Sequence, residues 1–123
     1  MDKSDGTRPM ILLGDFNAGP TISPSIEPRL ADDYEKLISI GWVNGYPRDP
    51  KAVCTYCDAN PLNGGSSSKT GTIIDHILTK SFTGTMLVEP VLRDDIELAV
   101  GPRTVRGAYS DHYGLRAILR RRP

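Results

Sequence analysis

The chain has 123 residues, 38% hydrophobic and 24% charged, which fits one ordinary domain or a piece of a larger one and excludes a disordered chain. Fifteen basic residues balance fifteen acidic ones, so net charge marks neither a nucleic-acid nor a membrane partner. No apolar run approaches the roughly 18 residues that a membrane-spanning helix needs. Two cysteines are too few for a disulfide scaffold, and the compartment stays open between secreted and cytoplasmic.

Residues 1–8 are polar and read as a loop. Met10-Ile11-Leu12-Leu13 is a continuous apolar run stopped by Gly14, which predicts a strand buried on both faces and then a sharp turn. Prolines and glycines make 18–28 a surface loop. From Arg29 to Ile40, Leu30, Tyr34, Leu37 and Ile38 recur at helical spacing, with Gly41 as the stop. Trp42 to Tyr46 reads as a short strand or turn. The segment 47–71, rich in Pro, Gly, Asn and Ser, is long enough that its role is either functional or disordered.

Thr72–Thr79, Thr85–Leu92 and Tyr113–Leu119 read as strands, while 93–107 has no clean period and looks like a second excursion. Arg116, Arg120, Arg121 and Arg122 form the one dense basic cluster, read as a solvated chain end. This order predicts an α+β domain of mainly antiparallel sheet, with a flanking helix and functional groups on loops at strand ends. One Trp and one clear helix make a thin core for so much loop.

Three short motifs carry chemistry. In Gly14-Asp15-Phe16-Asn17 an apolar strand delivers a carboxylate and a carboxamide two residues apart; in extended backbone both would project on one face, with Phe16 turned to the core. That pair suits a hard metal ion or a phosphate-bound water, but an Asx turn ending a strand has the same residues. Tyr109-Ser110-Asp111-His112 offers an oxygen ligand beside a titratable imidazole, or a capped turn with an exposed His. Thr72 to Leu78 carries Asp75 within an apolar stretch, where a carboxylate needs a partner: His112, the adjacent His76, or an arginine.

Taken together, Gly-Asp-Phe-Asn, an Ile-Asp-X-Ile strand and Ser-Asp-His, with about 60 and about 36 residues between their aspartates, resemble the C-terminal half of the endonuclease/exonuclease/phosphatase superfamily. That group contains deoxyribonuclease I, abasic-site endonucleases, inositol phosphatases and neutral sphingomyelinases. The resemblance spans residues 9–119 and implies half of a four-layer α/β/β/α sandwich. It implies that Asp15 positions or deprotonates the attacking water, Asn17 holds a phosphate oxygen, and Asp111, with Asp15 and Asn17, sits at a Mg²⁺ or Mn²⁺ ion. His112 would contact the phosphate or act as base, with Asp75 accepting a hydrogen bond from its ring.

His76 stands where Tyr or Arg is frequent in that family, and Gly114 where Pro is frequent. Family members also begin with another half that carries a metal-ligand Glu. About eight residues precede the Gly-Asp-Phe-Asn strand here, so the resemblance implies a truncated form with part of the metal cage. It also implies apolar surface left open to a missing half or to self-association. Tyr109 to Tyr113 and Cys54-Thr55-Tyr56 look like the sphingomyelinase branch, and no basic groove favours a nuclease; a phospholipid is the expected substrate. The alternatives are a nuclease or an inositol- or sugar-phosphate phosphatase, and, outside enzymes, a non-catalytic fragment or pseudoenzyme. Cys54-X-X-Cys57 lacks the second pair of a zinc site and the helix of a redox site, so a local disulfide or buried thiols are expected.

Overall fold

The computed structural model describes residues 8–46 and 52–123; nearly all of the expected opening loop, and the first residues of the long segment from 47, lie outside them. The architecture is α+β, mostly antiparallel sheet with one α-helix among the described residues. Among the described residues no helix is long and apolar enough to cross a membrane.

The central element is a three-stranded sheet. Strand β1 (Met10–Asp15) and the short β2 (Val43–Asn44) flank β5 (Asp75–Lys80), both antiparallel to it. Helix α1 (Ala31–Ser39) covers one face, where its buried Tyr34 meets the ring of His76 and accepts a hydrogen bond from Asn44 Nδ2 at 3.0 Å. Asp32 and Asp33 in its first turn oppose the positive end of the helix dipole. Leu30, expected within the apolar stripe, instead caps the helix in a left-handed conformation with its side chain exposed.

The other face of β5 packs against a second sheet, β6 (Gly84–Val91) with β9 (Gly114–Arg121). Ile77, Val88, Leu115 and Ala117 join Ile26, Tyr46, Ile73 and Tyr113 in one core cluster there. The basic cluster at 116–122 therefore lies largely on a strand, where Arg116 pairs with Glu89 across the ladder.

The expectation that β1 is buried on both faces is overturned. Ile11 is 55% and Leu13 68% exposed, because β1 takes the sheet edge and the second sheet does not extend over it. A continuous apolar run does not distinguish an edge strand from a central one; β5, with the fully buried Leu78, holds the central place. The strand expected over Thr72–Thr79 is two strands. β4 (Gly71–Thr72) pairs with β3 (Tyr56–Cys57), then the buried Ile73 and Ile74 carry the chain across to β5.

Residues 93–107, expected as a loop, mostly form a hairpin, β7 (Ile96–Val100) with β8 (Arg103–Gly107). Gly101 at φ 59 with Pro102 makes its two-residue turn, the positive φ being one that glycine adopts without a Cβ clash. Leu98, Val100 and Val105 are exposed, so the alternation there does not follow an inside and an outside.

Replacing Leu78 with Ala should cost about 2–5 kcal/mol of unfolding free energy in urea denaturation, through a cavity in the central strand. Leu13→Ala, on the exposed edge, should change it by no more than about 0.5 kcal/mol.

Candidate active site

The β1–β5 register sets Asp15 directly opposite Asp75. Cross-strand partners in an antiparallel pair project on the same face, so two carboxylates stand side by side where both strands end. Like charges in that arrangement repel, and a cation between them removes the penalty. Here the imidazole of His112 fills that role: its Nδ1 lies 2.8 Å from Asp75 Oδ2, and ligand atoms of Asp15, Asp75 and His112 all fall within 4.8 Å of one another. Facing a carboxylate, Nδ1 carries the proton, which leaves Nε2 as the acceptor whenever the ring is neutral.

Burial lowers the pKa of His112, but the hydrogen bond to Asp75, with the charges of Asp75, Asp15 and Asp111, outweighs it and holds the value above 6.5. Asp15 and Asp75 also line a cavity of about 190 Å³ with Leu13, Ile77 and Tyr113. A larger cavity of about 510 Å³ lies by β2 and β6, where Arg121 is the one ionisable lining group among the described residues. The paired carboxylates stand at the smaller one.

Of the two candidate partners for Asp75, the structure brings His112 to it and sends His76 to the opposite face. There His76 is 1% exposed between Tyr34 and Phe16. Its Nε2–H donates to the Ala18 carbonyl at 2.7 Å, and its Nδ1 accepts from Asn44 Nδ2 at 3.1 Å. Burial pushes its pKa below 6.5, and both nitrogens are occupied as a neutral ring requires. His76 is a core histidine.

Asn17 lies next to this cluster in sequence but departs from the strand path. It adopts φ 50, and its backbone N–H donates to Asp15 Oδ1 at 2.8 Å. The Asx turn is thus present, and it fixes the Asp15 carboxylate. Asn17 is exposed, and extended-strand geometry does not align its side chain with that of Asp15. Phe16 is half-buried against His76. Asp111 is exposed beside the cluster; the Ser110 hydroxyl donates to its carboxylate at 3.2 Å and accepts the His112 N–H at 3.1 Å.

What the sequence reading missed is the support beneath the Ser110-Asp111-His112 turn. Asn60, fully buried, donates from Nδ2 to the Ser110 carbonyl at 2.8 Å, and Asn63 Nδ2 donates to the Asp111 carbonyl at 2.7 Å. Asn60 Oδ1 also caps the 3-10 turn Pro61–Asn63 by accepting from the Leu62 N–H. Asn before Pro is a capping signal that was readable in the sequence; the contacts across about 50 residues of chain were not. Tyr56 meets the His112 ring edge-on at 5.1 Å. Cys54 and Cys57 form a disulfide across this same segment, which decides between the local bridge and the buried thiols that the sequence left open.

A magnesium-type cation binds through one or two carboxylates and keeps several waters. Among the described residues, Asp15, Asp75 and His112 are the group whose ligand atoms lie close enough together for such an ion, and Asp75 is already engaged with His112; Asp111 is exposed on the adjoining turn. No family model, curated protein or solved structure matches the chain.

Followed by NMR, the His112 ring should titrate above 6.5, and Asp75→Asn should bring the midpoint down. Since the folded value is raised, the pair's pH-dependent stabilisation is complete below 6.5 and is lost as pH rises through the folded midpoint. The stability gap between the parent and Asp75→Asn should therefore narrow with rising pH in urea titrations. A pH-independent gap would contradict the assignment.

Proposed function

We propose that the Asp15, Asp75 and His112 cluster is the water- and phosphate-handling part of a metal-assisted phosphodiester hydrolase, similar to the endonuclease/exonuclease/phosphatase superfamily. The observation that carries this reading is the Asp75–His112 hydrogen bond at 2.8 Å with the Asp15 carboxylate alongside. In it, Asp75 fixes the ring so that Nε2 is presented outward. The carboxylates beside it raise the pKa of His112, and in its protonated form the ring serves as the cationic donor to a phosphoryl oxygen. That leaves Asp15 to orient the water and accept its proton, the role to which its fixed carboxylate is suited. Asn17 supplies an amide donor to a second phosphate oxygen. Bound at Asp15 and Asp111, Mg²⁺ or Mn²⁺ would neutralise charge that builds on the phosphate. Water attacks phosphorus, the ester P–O bond breaks, and the departing alkoxide takes a proton from solvent to give an alcohol and a phosphomonoester.

A phospholipid substrate, of the sphingomyelin kind, is supported by the β7–β8 hairpin. It exposes Leu98, Val100 and Val105, and β8 ends three residues before Ser110. Exposed apolar side chains on an element that runs towards the site in sequence suit contact with a lipid surface. Sphingomyelin vesicles, a nicked abasic duplex and an inositol phosphate, each with Mg²⁺, separate the choices. Hydrolysis of the vesicles is expected, abolished by chelator and reduced about 100-fold or more in Asp15→Asn or His112→Asn. Turnover of DNA alone would move the reading to a nuclease, and no turnover of any of the three would favour a non-catalytic chain.

Ile11, Leu13 and Val43 share the open face of the central sheet, and their exposure supports self-association. Sedimentation velocity should show concentration-dependent dimers that Leu13→Lys weakens; a monomer at every concentration would overturn that part.

A further inference from the structure

Asp75 and His112 arrive at the site from distant stretches of chain, and one residue is hydrogen-bonded both to Asp75 and to the residue that follows His112. Thr55 is 0% exposed. Its hydroxyl oxygen accepts the backbone N–H of Ile74 at 3.0 Å and of Asp75 at 3.2 Å, which occupies both of its lone pairs. Its carbonyl accepts the N–H of Tyr113, the residue after His112, at 2.7 Å. Its own N–H donates to the Thr72 carbonyl at 2.9 Å. The side chain thus holds the backbone where it turns from β4 into β5, and the main chain holds the entry to β9.

We propose that Thr55 is a positioning residue that sets the distance between Asp75 and His112. Its neighbours are arranged to keep it in place. The Cys54–Cys57 disulfide closes the segment around it, Tyr56 packs on the His112 ring, and Asn60 fixes the carbonyl two residues before His112. A threonine serving only to fill the core would need no acceptor there, and valine of nearly the same shape would do. The two buried amides at Ile74 and Asp75 need that acceptor, because an unpaired buried N–H is strongly disfavoured. Without it they would turn elsewhere and carry the Asp75 carboxylate with them. The inference rests on the reading of Asp75–His112 as the working pair, but its test does not require turnover.

The test is the NMR signal of the His112 Nδ1 proton, which the bond to Asp75 shifts downfield, in Thr55→Val and Thr55→Ser, with far-UV circular dichroism as the check on folding. Thr55→Ser keeps the oxygen and should keep the signal in place. Thr55→Val should move it upfield or lose it to exchange with water as the bond to Asp75 lengthens. Where valine prevents folding, Thr55→Ala is read the same way, since the smaller side chain admits water to the two amides. Val88→Ala, which opens a buried site in β6, is the control for general loosening and should leave the signal unmoved.

A folded Thr55→Val or Thr55→Ala with the parent Nδ1 proton signal would overturn the proposal. So would a Val88→Ala shift as large as theirs. If the parent hydrolyses no phosphodiester yet the Thr55 variants move the signal as described, the positioning role stands and the hydrolase reading falls. In an active protein, Thr55→Val should lower kcat, by up to about 100-fold, with KM little changed, as a displaced rather than missing catalytic group does.

Discussion

Everything proposed for this site depends on the pairing of β1 with β5 in the register that sets Asp15 opposite Asp75. Strand side chains alternate with a strict period of two. A slip of one residue would therefore send Asp15 to the helix-covered face and put Gly14 opposite Asp75. The register is held by what lies behind it. On the α1 face, Leu78 and His76 are buried, and His76 is bonded through both ring nitrogens to Ala18 and Asn44. A slip of β1 would break the bond from His76 to Ala18, which follows β1 in the chain. The core histidine thus does structural work that keeps two carboxylates together on the opposite face.

Two adjacent carboxylates are a liability in a fold that has nothing to place between them. Here the imidazole of His112 answers their charge, and the carboxylates in turn favour its protonated form against the burial that opposes it. Such mutual dependence is common where proteins handle phosphate, because the same cationic ring and fixed carboxylates can stabilise charge that develops on a substrate. The hydrogen bonds from Asn60 and Asn63 to the carbonyls of Ser110 and Asp111 keep the ring-bearing turn from following the charge alone.

Much of this was legible in the sequence, for identifiable reasons. The helix near Tyr34 and the strand at Met10 announced themselves by periodicity and by an apolar run. Asp75 stood out because a carboxylate in an apolar stretch requires a partner. Burial was less legible. The run at 10–13 looked like a central strand, but sheet order decides what is covered, and order comes from long-range pairing. The β7–β8 hairpin was missed because its apolar residues face solvent, so its pattern matches no buried face. Thr55 and Asn60 were invisible as functional residues, since their part lies in hydrogen bonds to backbone that arrives from elsewhere in the chain.

The most direct test of the account is the state of the His112 ring nitrogens in the intact protein. Long-range proton–nitrogen NMR correlation distinguishes a ring protonated at Nδ1 from one protonated at Nε2. Nδ1 should keep its proton across the whole titration, donating to Asp75, while Nε2 is the nitrogen that gains and loses one. A neutral ring carrying its proton on Nε2, with Nδ1 titrating, would mean that Asp75 does not hold His112. The site described here would then not exist in solution.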